Sequence, residues 1–382
     1  MKNARAIRVI AMVLMSAGGA LSAPESSRLR ELVAANFPEG NVYIGGTTGY
    51  RFLDTQDERI LREEFSYITP DNDFKQSLIH PEPGVWKWEI PDSWIKIAER
   101  DNQLIRIHGP ICPQVSKWAY ADERTAEELL TNLREYMTAL CKRYDGHPNV
   151  RWMDVVNETV NMVPGNGWNG PRPGIAKYEN PWPKVGMITN IPPEYAALQD
   201  GVPRYIVEAF KIANEHAPNT KQIINQHGSM RDFVWDRIRD LVPYLRKEHG
   251  LRVDGIGWQG HILYFKDKEW GMDSANIKYL GELIDWAHEN DLDFHCTENN
   301  IHDYPEGAEP KDDYAEVYEN ILSTILSKRK GGVVSWSVWY LRDQEHWRGK
   351  GRRLNCLWDE DANPNEAYDR VQNLLMYPPK AD

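Results

Sequence analysis

Glu158 and Glu298 are the two residues of this chain best suited to paired acid chemistry. Each closes a short apolar run, WMDVVNE at 152–158 and HCTE at 295–298. An apolar run that ends on a carboxylic acid aims that acid at something other than the core. Two such acids on opposite sides of a pocket suit cleavage of a glycosidic bond. One carboxyl must be protonated, to give its proton to the departing oxygen. The other must be ionised, to attack the anomeric carbon. Burial is expected to raise the pKa of the first and hydrogen bonds to hold that of the second down. Taken alone, either glutamate could equally be a salt-bridge partner, so the elements that carry them decide the matter.

Eight short β-branched runs recur along the chain, near 42–46, 65–69, 104–108, 151–157, 221–225, 253–260, 292–298 and 331–337. Segments of 3.6-residue periodicity lie between them, at 125–144, 202–216, 232–247, 276–289 and 311–328. The first carries Thr125 and, three positions on, Glu128, the signature of a capping box. Alternating strands and helices predict βα units and a parallel sheet. Eight units predict an α/β fold of the closed (β/α)₈ TIM-barrel type. A doubly wound open sheet is the alternative, but Gly45-Gly46-Thr47-Thr48-Gly49 is a poor phosphate turn.

In a barrel the C-terminal ends of the strands open on one face. Polar residues collect there: Asn72 and Lys75 behind the second run, His108 on the third, Asn157 and Glu158 on the fourth. The sixth supplies Gln259 and His261 and the seventh Glu298; the eighth carries Trp336, with Trp347 in the loop beyond. Strands four and seven face each other across the mouth, which places the two glutamates in one pocket. The segment from Glu158 to about Pro203 is the longest loop, and Trp168, Tyr178 and Trp182 suggest that it forms a binding wall.

Composition narrows the ligand. The 382 residues carry a net charge of −12, so nucleic acid and anionic membrane surfaces are disfavoured as partners and a neutral substrate fits. The 15 Trp and 18 Tyr supply flat faces that stack on sugar rings. Residues 1–22 read as a secretory signal peptide: Lys2, Arg5 and Arg8 precede an apolar stretch that ends in Ala20-Leu21-Ser22. Residues 23–382 would then be the barrel, secreted or periplasmic. The four cysteines, Cys112, Cys141, Cys296 and Cys356, show no CxxC spacing and suggest no metal site. In an oxidising compartment a bridge could form, and buried free thiols fit as well. No cofactor is expected.

The motifs together resemble glycoside hydrolase family 10, known chiefly for endo-β-1,4-xylanases, from about Val42 to Leu375. WMDVVNE resembles the family's acid/base strand, which implies Glu158 as general acid/base and Asn157 as partner of the sugar 2-hydroxyl. HCTE resembles the nucleophile strand, which implies Glu298. ITPDNDFK resembles the family's ITPEN-x-x-K, so Asn72 and Lys75 would bind the sugars at −1 and −2. RIHG implies His108 at −1, and GIGWQGH implies Gln259 and His261 beside the nucleophile. SWSVW followed by HWR implies Trp336 and Trp347 as floor and lid of the −1 sugar. NCLWDEDANPNEAYDRV resembles the closing segment before the last helix.

The resemblance implies a retaining mechanism on a β-linked polysaccharide or oligosaccharide, xylan foremost, with another β-glycan or β-glycoside as the alternative. A non-catalytic carbohydrate-binding barrel would be expected to lack one of the two glutamates. A metal-dependent barrel hydrolase would need a His-x-His strand end. Two segments depart from the family pattern. HGPICPQVSKW is one residue short and has Cys112-Pro113 where a Trp-His pair normally stands, which leaves the place of Gln114 open and implies a wider −1 pocket. Glu298-Asn299-Asn300 replaces Glu-Leu-Asp, which is expected to leave His261 less protonated and to shift the pH optimum.

Overall fold

In the computed structural model the described residues are 28–121, 123–170, 180–228, 230, 232–263, 272–302, 314–345 and 353–382. Eight strands run β1 (Val42–Thr47), β2 (Tyr67–Thr69), β3 (Leu104–Ile107), β4 (Val150–Asn157), β5 (Lys221–Gln226), β6 (Gly255–Trp258), β7 (Asp293–His302) and β8 (Val334–Trp339). Each pairs in parallel with its neighbour in sequence, and β8 pairs in parallel with both β7 and β1. The sheet is therefore closed, with helices between its strands: the (β/α)₈ barrel expected. The capping box also forms. Thr125 Oγ1 accepts from the Glu128 backbone N–H at 3.2 Å, and the Glu128 carboxylate accepts from the Thr125 N–H at 2.8 Å.

Strand alternation sends one set of side chains outward, against the helices, and one set into the barrel. Outward, the helix Ala126–Tyr144 buries Leu133, Tyr136, Met137 and Leu140. Inward, the lower layer holds Tyr67 and Trp152, with His295 set edge-on to the Trp152 ring at 5.6 Å. Gly45 makes room for it: a Cβ there would overlap the Tyr67 ring. The next layer up is polar, with Arg106, Asp154, Asn225 and Thr297 all buried.

The registers of β4 and β7 each slip by one residue. On β4, Asp154 pairs with Ile223, whereas Val156 pairs with Ile224. On β7, Cys296 pairs with Trp336, whereas Asn299 pairs with Val338. An extra residue in a strand re-aims the side chains beyond it. The β4 bulge comes just before Glu158, and the β7 bulge contains Thr297 and Glu298. They let Asp154 and Asn157 on β4, and Thr297 and Glu298 on β7, reach the interior within one strand, although strict alternation would turn one of each pair away.

Cys112, Cys141, Cys296 and Cys356 are all free and buried, so no bridge forms. Among the described residues no helix is long and apolar enough to cross a membrane.

Candidate active site

Glu158 follows the last residue of β4 with φ 57, a left-handed backbone that a non-glycine residue adopts at a cost of about 1–2 kcal/mol. Its N–H still donates to the Asn225 carbonyl on β5 at 3.0 Å. The turn thus ends the strand while keeping it sewn to its neighbour. It swings the carboxyl toward β6, where Gln259 Nε2 donates to Glu158 Oε1 at 3.0 Å.

That amide begins a chain across the barrel mouth. Gln259 Nε2 also donates to Asn157 Oδ1 at 3.2 Å. Asn225 Nδ2 donates to the same Oδ1 at 2.9 Å and to Glu298 Oε1 at 2.8 Å. Thr297 Oγ1 donates to Asn225 Oδ1 at 2.8 Å and fixes which way that amide faces. One run of amides therefore ties Glu158 to Glu298. Gly257 lies beneath it, and a Cβ there would strike Asn225 Oδ1.

Glu298 is almost fully buried and sits between two imidazoles. His261 Nε2 lies 3.2 Å from Oε2 and His108 Nδ1 lies 3.7 Å from Oε1. His108 is held from below, its Nδ1 3.0 Å from Asp154 Oδ2, while Arg106 donates to both Asp154 oxygens. Burial pushes Glu298 up and Glu158 adds to this, but the His108 charge and the His261 hydrogen bond and charge outweigh both, so it is held below the ordinary carboxylate value. For Asp154, likewise, burial works upward and is overcome by Arg106 and His108.

His261 is raised although Asn300 brings no charge to it. Burial lowers its pKa, but the hydrogen bond and charge of Glu298 and the hydrogen bond to Asn300 raise it more, and the net shift is upward. Asn300 Nδ2 donates to the Trp339 carbonyl at 3.2 Å, which turns its Oδ1 toward the histidines. That oxygen lies 2.8 Å from His261 Nδ1 and 2.6 Å from His302 Nε2. A carbonyl oxygen only accepts, so Nδ1 carries a proton, and a donor at Nε2 toward Glu298 makes the ring an imidazolium. Asn300 thus takes the hydrogen-bonding place of an acid without its charge.

Glu158 corrects the expectation that burial raises the acid. A third of its side chain remains exposed. Burial pushes it up, but the charge and proximity of His227, the Gln259 hydrogen bond and the Lys75 charge together hold it well below the ordinary carboxylate value. Both glutamates are therefore biased toward the carboxylate form.

Lys75 and Asn72 stand together on the loop after β2. Lys75 Nζ donates to Asn72 Oδ1 at 2.7 Å and to Gln114 Oε1 at 2.9 Å. Gln114 thereby joins the site despite the shortened segment around it. Burial works against the Lys75 charge, but Cys112, Glu158, Asp71 and Glu298 sustain it.

Trp336 is not among these residues. It points outward from β8, 1% exposed, with Tyr318 of the helix Tyr314–Ser327 edge-on at 6.1 Å and its Nε1 donating to Asn299 Oδ1 at 2.8 Å. Alternation along β8 brings Trp339 inward instead. Its ring stands edge-on to His108 at 5.2 Å and to His261 at 6.2 Å, so it is the indole beside the two imidazoles that flank Glu298. Trp347 and Tyr178 lie outside the described residues. Trp182 does not line a binding wall. It is fully buried, and its Nε1 donates to the Cys112 carbonyl at 3.0 Å, pinning the long loop to the shortened segment. Trp168 is likewise engaged, donating to the Gly201 carbonyl at 2.6 Å beneath the Arg237 guanidinium.

Among the described residues no group of three or more His, Cys, Asp or Glu is disposed to hold a metal ion. The site offers instead two carboxylates coupled through amides, imidazoles behind one of them and an indole beside those imidazoles.

The model of Glycosyl hydrolase family 10 matches residues 29–374. The chain belongs to that family. It is a glycoside hydrolase. Endo-1,4-beta-xylanase B of Thermotoga neapolitana is 25% identical over 353 residues, covering 88% of this chain and 89% of that protein. Beta-1,4-xylanase of Dictyoglomus thermophilum is 27% identical over 327 residues, covering 81% and 82%. Among solved structures, xylanase 10B of Thermotoga petrophila RKU-1 in complex with xylobiose superposes with a TM-score of 0.69 at 26% identity, over 93% of this chain and 98% of that one.

Proposed function

We propose that this glycoside hydrolase is a retaining endo-β-1,4-xylanase, acting on xylan or xylo-oligosaccharides by double displacement. The observation that carries the reading is the amide chain Gln259–Asn157–Asn225, which couples Glu158 to Glu298 at one cleft. The xylobiose-bound relative supports the substrate class.

In the first step Glu298 attacks the anomeric carbon, the bond to the departing oxygen breaks, and Glu158 supplies that oxygen with a proton. His108 and His261 keep the attacking carboxylate ionised and aimed. In the second step Glu158 takes a proton from water, the water oxygen bonds the anomeric carbon, and Glu298 leaves. Asn157 takes the role of partner to the sugar 2-hydroxyl in this reading, a bond that is useful where it strengthens in the transition state. Trp339 offers the −1 sugar an apolar face. Lys75, Asn72 and Gln114 form the polar wall toward −2.

Residues 1–22 are assigned as a secretory signal and 23–382 as the catalytic barrel, and N-terminal sequencing of the exported protein checks that division. The mechanism is tested with a 2-deoxy-2-fluoro xylobioside bearing a good leaving group. Stoichiometric labelling of a peptide that contains Glu298, with retained configuration in the first-formed product of normal turnover, is the expected result. Inverted product without labelling contradicts it.

A further inference from the structure

His227, one residue past β5, has no part in the amide chain. Its ring is buried, and both nitrogens lie out of reach of solvent without a hydrogen-bond partner. Its Nδ1 lies 3.5 Å from Glu158 Oε2, slightly beyond hydrogen-bonding range. A buried imidazole with both nitrogens unsatisfied is costly unless it answers to a charge or a ligand. The nearest charge is Glu158. A small rotation of that partly exposed carboxyl closes the gap, and its other oxygen is already held by Gln259.

From this geometry we infer that His227 and Glu158 act as a dyad holding a single mobile proton, with His227 as a positioning residue that works through Glu158. The inference rests on the acid/base role proposed for Glu158. In the resting cleft the proton sits on His227 and Glu158 is a carboxylate, in keeping with the depressed state of that carboxyl. As the glycosidic bond breaks, the Nδ1–H bond of the imidazolium breaks and its proton moves to Glu158 Oε2. Glu158 passes a proton to the departing oxygen. The imidazole is then neutral and Glu158 is again a carboxylate. In the second step water loses a proton to Glu158, its oxygen bonds the anomeric carbon, the bond to Glu298 breaks, and the proton returns to His227. Every proton taken from the dyad in the first step is restored in the second.

Other groups act on the same carboxyl. Lys75 comes from the loop after β2, Cys112 from the segment after β3, and His261 from beyond β6, while Glu298 stands on β7. Of these, Lys75 donates to Asn72 and Gln114, and His261 faces Glu298 and Asn300. Among the described residues His227 sets a ring nitrogen against the Glu158 oxygen that Gln259 does not hold.

The first readout is the side-chain carboxyl ¹³C titration of Glu158 in the full mature chain, assigned by difference against E158Q. The wild-type midpoint is expected below the free-glutamate value of about 4.3. In H227Q it is expected to rise by about one unit or more, since an opposite charge within a few ångströms is worth about that much. The second readout is kinetic. On xylo-oligosaccharides H227Q is expected to move the alkaline limb of kcat/KM to more acid pH, with KM within about twofold. A 2,4-dinitrophenyl xylobioside, whose leaving group needs no proton, is expected to show no such move in its glycosylation step. H227N should behave as H227Q does. A wild-type Glu158 midpoint at or above the ordinary value overturns the dyad, and so does an H227Q midpoint equal to wild type. Should neither variant fold, the wild-type midpoint decides alone. The titration needs no turnover, so it separates failure of the dyad from failure of the xylanase reading.

Discussion

Glu298 and Glu158 differ most in what stands behind them. Glu298 is buried between His108 and His261, whereas Glu158 opens on the cleft from a left-handed turn. Replacing Glu298 with Ala is therefore expected to abolish glycosyl transfer. Replacing Glu158 with Ala is expected to cost about 10²–10⁴-fold on natural linkages and much less on substrates with activated leaving groups. Steady-state kinetics on both substrate types checks the contrast, and equal losses on both contradict it. Asn300 provides a second test. Asn300→Asp puts an anion on the Nδ1 side of His261, so the histidine, already raised, should keep its proton to still higher pH. An NMR titration of the His261 ring proton measures this, and an unchanged or lower midpoint counts against the network as described. The glutamates, Asn157, Gln259, His108 and His261 are legible in the sequence because each ends a strand on a polar side chain. Trp339 is not. Trp336 and Trp339 differ in parity along β8, and the apolar run at 331–337 stops short of the inward indole, so the outward one stands in its place. Asn225 ends its run as Asn157 does, yet nothing local sets it apart from an ordinary strand-end amide. Its role emerges only when three strands converge on it.

The strands carry the polar layer, and the layer carries the site. Asp154 lies fully buried on β4 beside Arg106 of β3 and His108. Asp154→Ala leaves a buried guanidinium without its partner, which is expected to cost about 3–5 kcal/mol and to release His108 from its orientation. Denaturant unfolding and kcat measure the two effects. Because the folded-state pKa of Asp154 is depressed, the stability this carboxylate contributes is present above its unfolded value of about 3.9 and is lost as pH falls through the folded value. The stability gap between wild type and Asp154→Asn should accordingly narrow on acidification, and a constant gap down to pH 2 contradicts the ion-pair account. Gly257→Ala on β6 tests the packing of the same layer. Its methyl group meets Asn225, so a loss of about 1–3 kcal/mol and of activity is expected together. The eight strand positions are readable from β-branched runs between capped periodic segments. The bulges on β4 and β7 are not, since an extra residue in a strand leaves no mark in composition and is defined only against its partner's register.

At the scale of the molecule, a closed sheet gathers residues from seven strands, β2 to β8, and their following loops onto one rim, and the net negative charge of the chain favours a neutral substrate there. The site's chemistry is built from carboxylates, amides and imidazoles, so a chelator is expected to leave activity unchanged, and loss on treatment with EDTA followed by recovery with a divalent ion contradicts that. The wide loop after β4 reads as a wall because it is rich in aromatics. Trp182 instead spends its indole on the Cys112 carbonyl, so that loop closes over the shortened segment. Aromatic composition alone does not say whether an indole faces ligand or core; the hydrogen bond at its nitrogen does. The measurement that bears most directly on the whole account is product analysis on linear β-1,4-xylan, with the mature wild-type chain and Glu298→Ala side by side. A ladder of short xylo-oligosaccharides from the wild type and none from the variant is the predicted result. An equal ladder from the variant, or no cleavage of xylan by the wild type, would contradict it.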